Sequence, residues 1–130
     1  MKKTLPILMA IFAFLATSCT KKYEQVTPNQ TIITTVDSGD WKTNDGGKTY
    51  SVTLNVPEID SYFNQHGGVL LYASFGNSVY EQVPEVYNGV AYSYSHSPGS
   101  LEVDIQASDG IAVVNPPGSV KFKIVLVDSI

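Results

Sequence analysis

The chain has 130 residues, a net charge of −4 and an aromatic content of 11%. Its cations are all lysine, so the guanidinium fork that clamps phosphate or carboxylate is missing. The acidic balance argues against a nucleic-acid partner, and the length supports one domain around a single modest core.

The first stretch reads as an address. Met1-Lys2-Lys3 is a short basic start, and Leu5 to Ala16 has no charge. As a helix that run would cover roughly 18 Å, against a hydrocarbon core of roughly 30 Å, so it is too short to span a membrane. A basic start, a short apolar run and then the small residues Ala16-Thr17-Ser18 form the pattern of a secretory signal peptide. The run ends at Cys19, the only cysteine, which has no disulfide partner within the chain.

Leu15-Ala16-Thr17-Ser18-Cys19 resembles the lipobox of bacterial lipoproteins, with Ala where Leu is more usual three positions before the cysteine. The resemblance implies that residues 1–18 are removed and that Cys19 becomes the first residue of the mature protein. Its thiol and amine would then carry acyl chains of the palmitate kind. At roughly 0.8 kcal/mol per buried CH₂, two or three such chains hold a membrane far more firmly than one. Thr20, not Asp, follows the cysteine. By the sorting rule of other bacterial lipoproteins this is compatible with the outer membrane. Residues 19–29 then form the lipidated cysteine and a flexible polar tether, and residues 30–130 form the domain.

Within the domain the signals are those of strands. Gln30 to Val36 is rich in Thr, Ile and Val, and Asp37-Ser38-Gly39-Asp40 breaks it. Asn44-Asp45-Gly46-Gly47 is a strong turn. Lys48 to Val56 alternates cleanly, with Tyr50, Val52, Leu54 and Val56 on one side. Pro57 to Gly67 is the one helix candidate, with Ile59, Tyr62 and Phe63 on a common face. Val69 to Phe75 is a compact apolar run expected at the centre of a sheet, and Val79 to Val83 is a shorter strand stopped by Pro84. Asn88-Gly89 signals a hairpin ahead of Val90 to His96. Leu101 to Ala107 alternates again, and Ile111 to Val114 reads as a short extended piece. Asn115-Pro116-Pro117-Gly118 makes a firm loop before Val120 to Val127.

Seven or eight short strands at this spacing predict an all-β fold, an antiparallel Ig-like β-sandwich with one short helix or helical turn. Asp40-Trp41, the strand Tyr50 to Val56 with Pro57-Glu58, Gly67 to Tyr72, Tyr92-Ser93-Tyr94 and Lys121 to Val125 together resemble a group of small lipoproteins of Bacteroidetes. The resemblance implies a β-sandwich lipoprotein of the bacterial cell envelope and brings no activity or site residues.

Chemistry is sparse. There is no Gly-x-Ser-x-Gly elbow and no zinc-binding histidine pair around His66 or His96. Glu81, Glu85, Glu102 and Asp104 could be assembled into a glycosidase pair, but alternation puts Glu102 and Asp104 more simply on the wet face of a strand. No cofactor is expected and the chain is not read as an enzyme. The weak metal candidate is calcium at Asp37, Asp40 and Asp45, whose spacing does not match an EF-hand loop and whose residue types are ordinary turn formers. The aromatic residues Trp41, Tyr80, Tyr87, Tyr92 and Tyr94 offer two readings. They are core and rim of the sandwich, or an exposed platform for a glycan or an envelope protein.

Overall fold

The computed structural model describes residues 28–129. The expected signal peptide, Cys19 and most of the tether lie outside the described residues. In chain order the elements are β1 (Gln30–Val36), a 3-10 turn (Ser38–Asp40), β2 (Thr49–Asn55), α1 (Ser61–His66), β3 (Gly68–Ser74), β4 (Glu81–Val83), β5 (Glu85–Tyr87), β6 (Val90–Ser97), β7 (Ser100–Ala107) and β8 (Val120–Val127).

The strands form two four-stranded sheets, one ordered β1-β8-β3-β4 and the other β2-β7-β6-β5, with antiparallel pairing throughout. This is the expected antiparallel sandwich, with eight strands and one short helix. Its strand order is its own. In an immunoglobulin sandwich the first strand lies beside the second, whereas here β1 lies beside β8. Among the described residues no helix is long and apolar enough to cross a membrane.

Alternation in the sequence becomes one dry face and one wet face for each sheet. Val120, Phe122, Ile124 and Leu126 of β8 point into the core, as do Leu101, Val103, Ile105 and Ala107 of β7. Val69, Leu71 and Ala73 of β3 join them. Fully burying a side chain of this size stabilises a fold by about 1.5–3 kcal/mol. The hydroxyl of Tyr94 on β6 donates to the carbonyl of Val69 on β3 at 2.6 Å and so ties one sheet to the other.

Three local expectations need correction. The helix is shorter than Pro57 to Gly67, because the chain first makes a turn in which the Ile59 amide donates to the Val56 carbonyl at 3.0 Å. Asp60 then caps the helix, its carboxylate accepting from the Phe63 amide at 2.7 Å. Ile59 therefore plugs the core from outside the helix, and Tyr62 is left 65% exposed rather than sharing a buried face. Ile111 to Val114 is not a strand. The Asp109 carboxylate accepts from the Ile111 and Ala112 amides and curls the chain, leaving Ile111 and Val113 exposed. The strand expected over Val79 to Val83 covers only Glu81–Val83, and past Pro84 the chain makes a further strand, Glu85–Tyr87, too short to show alternation of its own.

The long β7–β8 connection is fastened at two points. The Ser108 amide donates to the Gly89 carbonyl at 2.8 Å, and the Val114 amide donates to the Gly47 carbonyl at 2.9 Å. Gly47 has φ +93°, and a Cβ there would lie 2.8 Å from Cγ1 of Val113. Glycine is thus required twice over, by backbone angle and by close approach. We expect Gly47→Ala to destabilise the domain by about 1–3 kcal/mol, read as a lowered denaturant midpoint with an unchanged slope. Wild-type stability in that variant would show that the connection is not held in this way.

Candidate functional site

The first elements to place are the five aromatic residues singled out above. Trp41 is 4% exposed and packs edge-on against Phe122, with ring centroids 6.4 Å apart. It belongs to the core and is not part of an exposed platform, because the short segment before β2 turns it between the sheets. Its Nε1 has no hydrogen-bond partner among the described residues. Tyr94 is a cross-sheet tie, half-buried, with its hydroxyl committed to Val69. Tyr80 lies elsewhere, on the outer side of the β1-containing sheet. There Lys123 Nζ sits 4.3 Å from the centre of its ring and 4.7 Å from that of Tyr72. A single platform of all five is therefore not formed.

Tyr87 and Tyr92 do come together. The Asn88-Gly89 turn between β5 and β6 has φ +50° and +75°, the left-handed pair that a tight hairpin needs. It sets Tyr87 at the end of β5, diagonally across the ladder from Tyr92 on β6. Phe75, just past the end of β3, reaches across from the other sheet and stacks face to face on Tyr87, with centroids 3.9 Å apart and planes 2° from parallel. Tyr92 meets Phe75 edge-on at 5.2 Å.

These three rings form one side of a cleft of about 370 Å³. The other side is the β7–β8 connection, which brings Asn115, Pro117 and Ser119 over them, and Asn88 closes the end. The volume falls in the range of small-molecule sites, about 300–1,000 Å³. No charged side chain lines the cleft. The arrangement offers flat apolar surface on one side and amide and hydroxyl groups on the other. Sequence reasoning missed Phe75, Asn115 and Ser119. Phe75 is indistinguishable in sequence from the last core residue of its run, and Asn115-Pro116-Pro117-Gly118 shows only a loop.

Tyr92 is 3% exposed, and burial, with the carboxylate of Glu85 and Tyr87 nearby, pushes its phenol up to about 12. It therefore keeps its proton at neutral pH. Behind it, Glu85 of β5 and Glu81 of β4 lie near each other where the chain crosses between sheets at Pro84, and one oxygen of each carboxyl is buried without a hydrogen-bond partner among the described residues. Partial burial, reinforced by the Glu81 charge, holds the Glu85 carboxyl above its ordinary value of 4.5. None of the four acids Glu81, Glu85, Glu102 and Asp104 lines the aromatic cleft, so the glycosidase pair is not assembled there. Glu102 and Asp104 neighbour each other on the outer face of the second sheet, and the Asp104 carboxyl beside it raises Glu102 above its ordinary value. The Asp104 carboxylate accepts from the Ser51 hydroxyl as well.

The calcium candidate is not assembled. The Asp40 carboxylate accepts from the Asp37 amide at 2.8 Å, and the Asp45 carboxylate accepts from the Thr49 amide at 2.8 Å and from the Thr43 hydroxyl at 3.0 Å. These acids are turn formers, and among the described residues no three His, Cys, Asp or Glu side chains gather into a metal-holding group. His96 Nδ1 lies 2.7 Å from Asn64 Oδ1, and His66 packs on Tyr62 with ring centroids 4.3 Å apart.

No protein-family model, curated protein or solved structure matches the chain.

The carboxyl pair makes stability depend on pH. Because Glu85 is raised in the folded state, its contribution is full below about pH 4.5 and is lost as pH rises through the raised value. Asp45 and Asp109, held below their ordinary 3.8 by backbone hydrogen bonds, act oppositely, but only as pH falls below that range. As pH rises above about 4.5 the Tm of Glu85→Gln relative to the wild type should therefore increase, and it should level off once pH has passed the raised Glu85 value. A difference that shows no such rise would show that the Glu85 carboxyl is not raised in the folded state.

Proposed function

We propose that this chain is a non-enzymatic, lipid-anchored binding module of the bacterial envelope, held at the outer membrane through Cys19. We further infer that its cleft takes the end of a neutral glycan. The observation that carries the second part is the stack of Phe75 on Tyr87 beside Tyr92, in a cleft without a charged lining. A sugar ring has an apolar C–H face suited to an aromatic plane and equatorial hydroxyls suited to amides such as Asn88 and Asn115. An anionic ligand would find no cation in the cleft and two carboxyl groups behind it.

A second reading is favoured by one other observation. Lys123 held between Tyr72 and Tyr80, with Val79 52% exposed beside them, makes a surface suited to an envelope protein. The two readings separate by mutation. Purified full-length chain should bind neutral glycans in a panel of neutral and acidic ones. Tyr87→Ala should weaken that binding tenfold or more (about 1.4 kcal/mol), while Tyr80→Ala leaves it unchanged. Preference for acidic glycans, or loss with Tyr80→Ala alone, would sink the cleft assignment. Trp41 is unsuited to such a test, since its truncation would open the core.

The anchor is tested separately. Wild-type chain should partition into the detergent phase and acquire labelled fatty acid, and Cys19→Ala should do neither. A Cys19→Ala chain that stays in the membrane would overturn lipid anchoring and leave the cleft reading untouched.

A further inference from the structure

A sandwich has four edge strands, and each presents unpaired backbone groups that attract another strand unless something blunts it. Three of the four edges here are blunted. β4 and β5 are three residues long, carry Glu81 and Glu85, and flank Pro84. β2 is covered at its middle, where the Lys42 amide donates to the Ser51 carbonyl at 2.9 Å and the Ser51 amide donates to the Lys42 carbonyl at 2.8 Å. β1 is different. It pairs with β8 along seven residues, and among the described residues nothing pairs with its other side. Its sequence, Gln30-Thr31-Ile32-Ile33-Thr34-Thr35-Val36, has no charge and no proline.

We propose that β1 pairs antiparallel with β1 of a second copy of this chain, about a twofold axis at Ile33, so that two four-stranded sheets become one of eight strands. The strand complements itself in this register. Thr31 falls opposite Thr35 of the second copy, and Ile33 falls opposite Ile33 of the second copy. Cross-strand Thr–Thr and β-branched apolar pairs are favourable. Thr31, Ile33 and Thr35 all lie on the exposed face, with Ile33 57% exposed in the single chain, so the pairing covers the largest apolar side chain on the strand's outer face. Because the strand is uncharged, two acidic molecules meet there without a like-charge contact.

The flank beside the edge points the same way. β1 and β2 are the first strands of their sheets, and between them lies a groove of about 460 Å³ with Val36, Val52 and Leu54 in its lining and one charge of each sign, Asp40 and Lys42, at its rim. Ile32 of the second copy, on the inward side of its strand, would lie over that groove. Stable interfaces bury about 1,200–2,000 Å². A seven-residue edge with this overlap sits at the small end, so the dimer is a weak one that forms as the local concentration of chain rises.

The test is crosslinking of the full-length chain at increasing concentration. Cys19→Ser removes the native thiol, and Ile33→Cys then supplies the only cysteine. Cα separations in directly opposed pairs fall within disulfide range, and their Cβ atoms, about 4.5–5.5 Å apart, need to close by only about 1 Å to reach the roughly 3.5–4.5 Å of a disulfide. Mild oxidation should give at least tenfold more covalent dimer than Ile111→Cys, which is as accessible but far from the edge in sequence. Two further variants in the Ile33→Cys background test the register. Thr31→Lys with Thr35→Lys sets lysine against lysine and should abolish the crosslink. Thr31→Glu with Thr35→Lys sets opposite charges together and should retain it. Circular dichroism confirms that each variant is folded. Three outcomes overturn the proposal: no excess of dimer from Ile33→Cys, equal crosslinking in the two charge variants, or capture of a different protein in place of a second copy.

Discussion

Phe122 and Ile124 of β8 and Val103 and Ile105 of β7 have no solvent exposure, and the rest of the domain is arranged around keeping them dry. Two sheets of four strands are too small to cover such a layer by their faces alone. The margins have to be closed as well, by loops, by a crossing of the chain or by another molecule. Ile59 closes one margin from a turn ahead of α1, and Trp41 closes another from the segment ahead of β2. Side chains that sequence pattern would place on a helix face or a surface are drawn inward for this reason.

The two flanks of the sandwich meet the same need in opposite ways. On one, the chain crosses from β4 to β5 at Pro84, and Glu81 and Glu85 face each other across the gap with Phe75 and Tyr87 stacked nearby. Closing a flank with rings and carboxyl groups leaves a shaped, uncharged cleft under the β7–β8 connection. On the other flank no strand crosses within a hairpin's reach, and β1 and β2 end their sheets with a groove between them. The aromatic cleft and the bare β1 edge thus lie on opposite flanks of the sandwich, and on the β1 side Trp41 supplies the ring that keeps the layer dry.

The electrostatics follow from this packing. The Tyr92 phenol is raised to about 12 because it serves as core for one sheet and wall for the cleft, a position with little water. Glu85 is raised because closing the flank brings it out of water and against Glu81. By contrast Asp45 and Asp109 are exposed and lowered, since each accepts backbone amides in a turn. The acids expected to gather around calcium are dispersed for that same reason. A carboxylate that has satisfied its local amides has less left to offer an ion.

Strand identity was legible in the sequence wherever alternation ran for seven residues or more, as in Thr49–Asn55, Ser100–Ala107 and Val120–Val127. A single wet face and a single dry face is a local property, repeated every two residues, and it also made the antiparallel sandwich readable. The resemblance of Leu15 to Cys19 to a lipobox is local in the same sense, since it rests on a string of adjacent residues. Glu85–Tyr87 was not legible, because three residues carry no period. Nor was the sorting of the aromatics. Trp41, Tyr80, Tyr87, Tyr92 and Tyr94 look alike in sequence, yet they divide into core, outer face, cleft and cross-sheet tie. That division depends on which strands end up adjacent: β8 between β1 and β3, and β5 against β6. Local composition determined what each segment would form. Only long-range pairing decided which rings would meet and which edge would be left bare, because burial and free backbone groups are properties of neighbours distant in the chain.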